Sequence, residues 1–218
     1  MPAQILAGNF ATFQGPDKMM ILRSSPPSPF GRKIKIAAAL AGLRGKIEVV
    51  MADTTDPADV LRSQNPLGKI PVLILEDGTT LYDSRVILEY LDWLAGGNLL
   101  IPAEPKARFA ALTQAALADG ILDAAILQIY EERFRTPERR EPKWIDYQSE
   151  KVARALAIFD AAPPAGHRDV AHIGLACALG YLDLRFGGKW RDSYKTLVPW
   201  LAAFEAEVPA FAATRFVA

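Results

Sequence analysis

Cysteine is almost missing from this chain of 218 residues, and its one thiol, Cys177, has no intrachain partner for a disulfide. That excludes a disulfide-built scaffold and suits a reducing compartment, so the cytoplasm is the expected location. An excess of charge is missing too: Lys plus Arg and Asp plus Glu both number 25. A balanced chain gives no electrostatic reason to expect nucleic acid or an anionic membrane as partner. No apolar run reads as long enough to cross a bilayer. Neither a Walker-type glycine loop nor a dinucleotide fingerprint occurs. The only two histidines, His167 and His172, read as loop and cap residues rather than metal ligands, and no metal is expected.

What is present is organised around residues 63–94, SQNPLGKIPVLILEDGTTLYDSRVILEYLDWL. NPLG reads as a turn, KIPVLIL as a strand of four to six residues, EDGTT as a tight reversal and LYDS as a short second strand. Asp83 or Ser84 then stands at a helix N-cap, with Val86, Ile87, Tyr90, Leu91 and Leu94 at helical spacing. Pro71 cannot donate to a sheet ladder and admits a cis bond, which would turn the backbone of Ile70 outward. An extended peptide finds backbone partners there, and the start of the following helix suits a carboxylate. A small acidic peptide is the ligand such a pair of features fits.

The rest of the chain frames this stretch. Residues 1–18 show no sustained period and read as a mobile extension. Residues 19–23 form a first strand, and the proline-rich turn SSPPSP follows. A helix runs from Phe30 towards Gly42, with Ile34, Ala37, Ala38 and Ala41 inward. A second strand covers 47–51, and one or two helical turns fall within 53–64, with Pro57 early in them. Strand, helix, strand, helix, strand, strand, helix predicts a thioredoxin-like α+β domain over 19–95. A linker at 96–104 precedes an all-helical domain at 105–218, with helices near 105–135, 141–161, 169–184 and 192–213. At the third of these, Asp169 can cap, but His172 stands where a reciprocal carboxylate is wanted. Cys177, in IGLACALGYL, reads as a packed core residue and not a nucleophile.

KIPVL followed by YDSRVILEYL resembles the glutathione-binding half of the glutathione S-transferase family, and the likeness extends over about residues 20–216. SPFGRKIKIAAAL resembles the serine-type, bacterial-like cytosolic transferases. The resemblance implies a cis Pro71, glutathione contacts at Lys69, Ile70, Asp83 and Ser84, and a homodimer. It implies Ser28 as the catalytic hydroxyl, with Ser25 of the SSPP run as the other candidate. Glutathione, as co-substrate, would present a thiolate to a small electrophile. A thiol of pKa about 8.5 needs help to ionise at neutral pH, and a hydroxyl donor at a helix start supplies it. Ser28 also reads as an ordinary helix cap, which is compatible with that role. Asp119, Asp123, Tyr130 and Phe134 recur near one face of the first long C-terminal helix and are expected at the acceptor site. A glutathione-dependent isomerase or peroxidase, or a non-catalytic glutathione-binding or scaffold protein, would share this frame.

Overall fold

Two short apolar runs lie side by side in the computed structural model, which describes residues 19–217; the expected extension at 1–18 lies outside the described residues. Strand β1 (Met20–Ser24) runs parallel to β2 (Ile47–Met51), with Met20 opposite Ile47 and Ser24 opposite Met51. Parallel neighbours need a crossover, and α1 (Pro29–Leu40) supplies it. Strand β3 (Val72–Ile74) pairs antiparallel with the other side of β1, and β4 (Thr80–Leu81) pairs antiparallel with β3. The order is therefore β2-β1-β3-β4. β3 is shorter than its apolar run because the reversal already closes at Leu75, whose N–H donates to Thr79 O at 2.8 Å.

The helix expected within 53–64 is only α2 (Leu61–Gln64). Carboxylates of Asp53, Asp56 and Asp59 each accept the N–H two residues on, from Thr55, Ala58 and Leu61, at 2.8 Å. These local bonds compete with the helix and keep the segment in turns. Helix α3 (Ser84–Leu94) starts at Asp83, whose carboxylate accepts from Arg85 N at 2.9 Å. Near its end the buried Asp92 turns back, and its Oδ1 accepts from Leu99 N and Leu100 N at 3.0 and 2.6 Å. The segment between the two halves is thus tied down by a carboxylate.

The C-terminal half is helical: α4 (Pro105–Phe134), α5 (Pro142–Ala161), α6 (Val170–Phe186), α7 (Trp190–Ser193), α8 (Leu197–Glu207) and α9 (Pro209–Ala213). The single helix expected over 192–213 is broken. Pro209 has no N–H to continue α8 and takes the first position of α9 instead. Helix α4 is one apolar stretch that does reach membrane-spanning length and composition, with mean hydropathy 1.4 over its best window. Its inner side, including Ala118, Ile121, Leu122 and Ala125, is buried in the protein core. One cluster runs without a break from Leu22, Ile34 and Leu91 to Ile121, Ile173 and Phe211, so the two halves share a core.

The start of α6 corrects one expectation. Asp169 caps it, accepting from Ala171 N at 3.0 Å, and the imidazole of His172 stands in for the carboxylate. Its Nδ1 lies 2.8 Å from Asp169 Oδ1, and the ring stacks on Trp200. Nδ1 serves one partner at a time: protonated it donates to the carboxylate, and unprotonated it accepts from Asp169 N at 3.4 Å, the reciprocal bond a carboxylate would take.

Candidate functional site

β1 delivers its last residue, the buried Ser24, to the SSPPSP turn, which closes when Ser28 N donates to Ser25 O at 3.1 Å. Pro29 then takes the first position of α1, and Ser28 becomes its N-cap, with Oγ accepting from Gly31 N at 3.1 Å. Gly31 also packs against the end of β1: a Cβ there would lie 2.0 Å from Ser24 Oγ. The two candidate serines part company at the turn. Ser28 lines a cavity of about 360 Å³ between the turn and the helical half, whereas Ser25 lines an adjoining groove on the side of β2 that shares Pro26, Arg215 and Phe216 with it.

The Ile70–Pro71 peptide bond is cis, as is Tyr82–Asp83. Asn65 Nδ2 donates to Lys69 O at 2.9 Å and holds the preceding loop, leaving the Lys69 side chain exposed. Asp83 is exposed at the head of α3, while Ser84 is buried beside it and accepts from Lys33 Nζ at 3.4 Å. Below lies an ion cluster that the sequence reading does not contain. Lys33 Nζ sits 2.5 Å from Asp119 Oδ1, and Arg85 Nε sits 3.0 Å from Asp119 Oδ2. Asp119 is thereby shared between two cations from the N-terminal half. Its hydrogen bond raises the Arg85 guanidinium further above its ordinary range. The Arg85 side chain is 59% exposed and runs outward from the cluster.

Of the four residues expected on the acceptor wall, Asp119 is taken up in this buried ion pair. Asp123, one turn later, is exposed; partial burial and the neighbouring Asp119 charge push its carboxyl above the usual range. Tyr130 and Phe134 form an edge-to-face pair at 5.2 Å near the end of α4. None of the four lines the cavity at Ser28. Its wall comes instead from α6, α7, α8 and the C-terminal segment, through Tyr181, Asp183, Arg191, Glu205 and Phe216. Cys177 lies at its base, fully buried, and burial pushes its thiol up to about 11. That is the reverse of what a nucleophile needs.

Lys33 had a signal in the sequence: it precedes Ala37 by one helical turn and so shares the buried face of α1. Arg85 had none beyond following Ser84.

The profile described as glutathione S-transferase, N-terminal domain, matches residues 27–94. An uncharacterized GST-like protein of Escherichia coli K12, YibF, is 31% identical over 171 residues, spanning 76% of this chain and 83% of that protein. Among solved structures, a glutathione transferase family member of Pseudomonas fluorescens Pf-5 with bound glutathione is 41% identical, at a TM-score of 0.86. The match covers 91% of this chain and all of that one. A glutathione S-transferase of Methylobacillus flagellatus KT with glutathione bound is 37% identical, at a TM-score of 0.85, with the same coverage.

Proposed function

The chain belongs to the glutathione S-transferase family, and from that premise we propose that it is a transferase in which Ser28 holds the glutathione sulfur as thiolate for attack on a small electrophile. The observation that carries the proposal is the geometry of Ser28. Its Oγ already accepts an N–H from Gly31, so its own proton is left to donate. A sulfur anion beside it would also meet the positive end of α1. Each unit by which the thiol pKa falls is about 1.4 kcal/mol of preference for the thiolate. The thiol proton goes to solvent, the sulfur bonds to the electrophilic carbon, and either a leaving group departs or the adjacent carbon takes a proton.

Glutathione is assigned to the surface at the cis Pro71, with its cysteinyl backbone against Ile70 and its glycyl carboxylate towards Lys69. Its γ-glutamyl end lies at Asp83 and Ser84, where Arg85, oriented by Asp119, adds positive charge. Relatives solved with glutathione bound support glutathione as the ligand. The electrophile is assigned to the cavity that Ser28 lines. A homodimer is part of the proposal, and the exposed Val86, Trp93 and Phe109 on α3 and α4 support it.

The test is the ultraviolet titration of bound glutathione together with turnover on a panel of electrophiles. Ser28→Ala should raise the thiol pKa and cut turnover about tenfold or more while leaving glutathione affinity nearly intact. Ser25→Ala is the control. If neither substitution moves the titration or the rate, the serine mechanism is wrong. An unsubstituted protein that binds glutathione without ionising it would be a binding module.

A further inference from the structure

The cavity at Ser28 has the buried Tyr181 in its wall, and positive charge gathers around that ring without a counter-charge. Helices α4 and α6 run in the same direction here. A Cβ on Gly174 would meet the Ala118 side chain at 3.1 Å, and further along both helices Tyr181 lies within reach of Tyr130 and of the Arg133 charge. Arg185 follows Tyr181 by one helical turn and shares its face. Its guanidinium carbon lies 6.0 Å from the Tyr181 ring centroid, and that of Arg133 lies 5.6 Å from the centroid of Tyr130. Two arginines and two phenols therefore meet beside the cavity.

The nearby carboxylates are committed elsewhere. Glu131, on the same stretch of α4, is taken by Arg135 and by Glu141 N. Asp183, on α6, is taken by Arg191 and by Trp190 Nε1. Arg133 and Arg185 make no ion pair among the described residues. The Nε of Arg185 is shielded from solvent and has no hydrogen-bond partner there, although a buried donor on a charged group calls for an acceptor. Burial pushes the Tyr181 phenol above its ordinary value, against the pull of the Arg185 charge, so at neutral pH it is a hydroxyl able to donate.

We propose that the electrophile is a carboxylic acid whose carboxylate is received by Arg185, with the Tyr181 hydroxyl beside it and Arg133 at the rim. The body of the molecule lies along the apolar lining of the cavity, Leu184, Leu201 and Phe216, and brings its reacting carbon towards Ser28. An aryl halide acid has this pattern. The glutathione sulfur bonds to the carbon that bears the halogen, the ring holds the electron pair, and the halide leaves with it; the thiol proton goes to solvent. A neutral electrophile leaves both guanidinium groups without a counter-charge. Arg185 is thus a specificity-determining residue, in an inference that rests on the transferase reading.

The probes are two conjugates, S-(4-carboxy-2-nitrophenyl)glutathione and its 4-carbamoyl counterpart, alike in size and different in charge at one end. Calorimetry on the full chain should give the acid an advantage of about tenfold or more, the worth of one charge-assisted contact. Turnover should show the same preference for 4-chloro-3-nitrobenzoate over 4-chloro-3-nitrobenzamide, once each kcat/KM is divided by the uncatalysed rate with glutathione. Arg185→Met should bring the acid down to the level of the amide. Arg133→Glu, at an exposed position where folding is not at stake, should reduce the advantage roughly threefold or more. Equal affinity of acid and amide, failure of both conjugates to bind, or an advantage that survives both substitutions overturns the proposal. A protein that prefers the acid conjugate yet turns over no electrophile loses the transferase reading and keeps the carboxylate subsite, so the two failures are told apart.

Discussion

Lys33 and Asp119 meet 2.5 Å apart, with side-chain exposures of 1% and 2%, and join α1 of the sheet domain to α4 of the helical one. Removing one partner of a buried pair leaves an uncompensated charge, at about 3–5 kcal/mol, whereas replacing both with apolar groups is often neutral. Asp119→Ala should therefore cost several kcal/mol in urea unfolding, and Lys33→Met with Asp119→Leu should restore most of it. A double substitution as unstable as the single one would show that the pair does more than neutralise itself.

Asp169 makes stability depend on pH. Burial alone would raise its carboxyl, but hydrogen bonds from His172 and Ala171 win, and its pKa lies below the usual value. A carboxyl lowered in the folded state stabilises above its unfolded pKa and loses that contribution as pH falls through the folded one. Asp169→Ala should cost about 1–2 kcal/mol near neutrality, a typical cap loss. The gap to the unsubstituted protein should narrow below about pH 4, near the unfolded carboxyl value. Melting curves from neutral to acid pH that stay parallel would contradict this.

Gly31 is the narrowest point of the turn. Adding a methyl group places it 2.0 Å from Ser24 Oγ and 3.1 Å from Ser24 Cβ, and Ser24 is buried with little room to move. Gly31→Ala should destabilise by roughly 1–3 kcal/mol, the range for overpacked sites. Ser24→Gly in the same chain should return part of the loss. A fully stable Gly31→Ala protein would mean the turn is not held as tightly as its contacts imply.

Much of this was legible beforehand. The helical periods of α1 and α3 and the Asp-Gly reversal placed those elements within about a residue. The misses have local causes. Three aspartates two residues ahead of free N–H groups dissolved most of α2, and Pro209 divided the last helix. On α4, spacing alone put Asp119, Asp123, Tyr130 and Phe134 near one face. Burial then changed along it, because Asp119 lies against α1 while Tyr130 and Phe134 are exposed. The separation of Ser25 from Ser28 comes from the hydrogen bond that closes their turn, and no period in the sequence carries it.

The exposed aromatic surface of α3 and α4 gives the dimer its test. Trp93 is 57% exposed and Phe109 67%. Light scattering at micromolar concentration should give twice the chain mass, and Trp93→Arg with Phe109→Glu should bring it to one chain. An unsubstituted protein that runs at the mass of one chain rejects the dimer outright.

Arg32 and Lys33 are adjacent in sequence yet turn to different neighbours. Arg32 donates to Phe211 O at 2.6 Å and stacks over the Phe211 ring, while Lys33 turns to Asp119. A helix that belongs by topology to the sheet domain is therefore finished, chemically, by two separate parts of the other half. The consequence is one of portability. Excised at residue 95 and grafted elsewhere, the first half would carry a lysine built for burial and an arginine without its carbonyl. Shuffling such halves between distant relatives should succeed only when the acceptor brings its own equivalents of Asp119 and the Phe211 carbonyl.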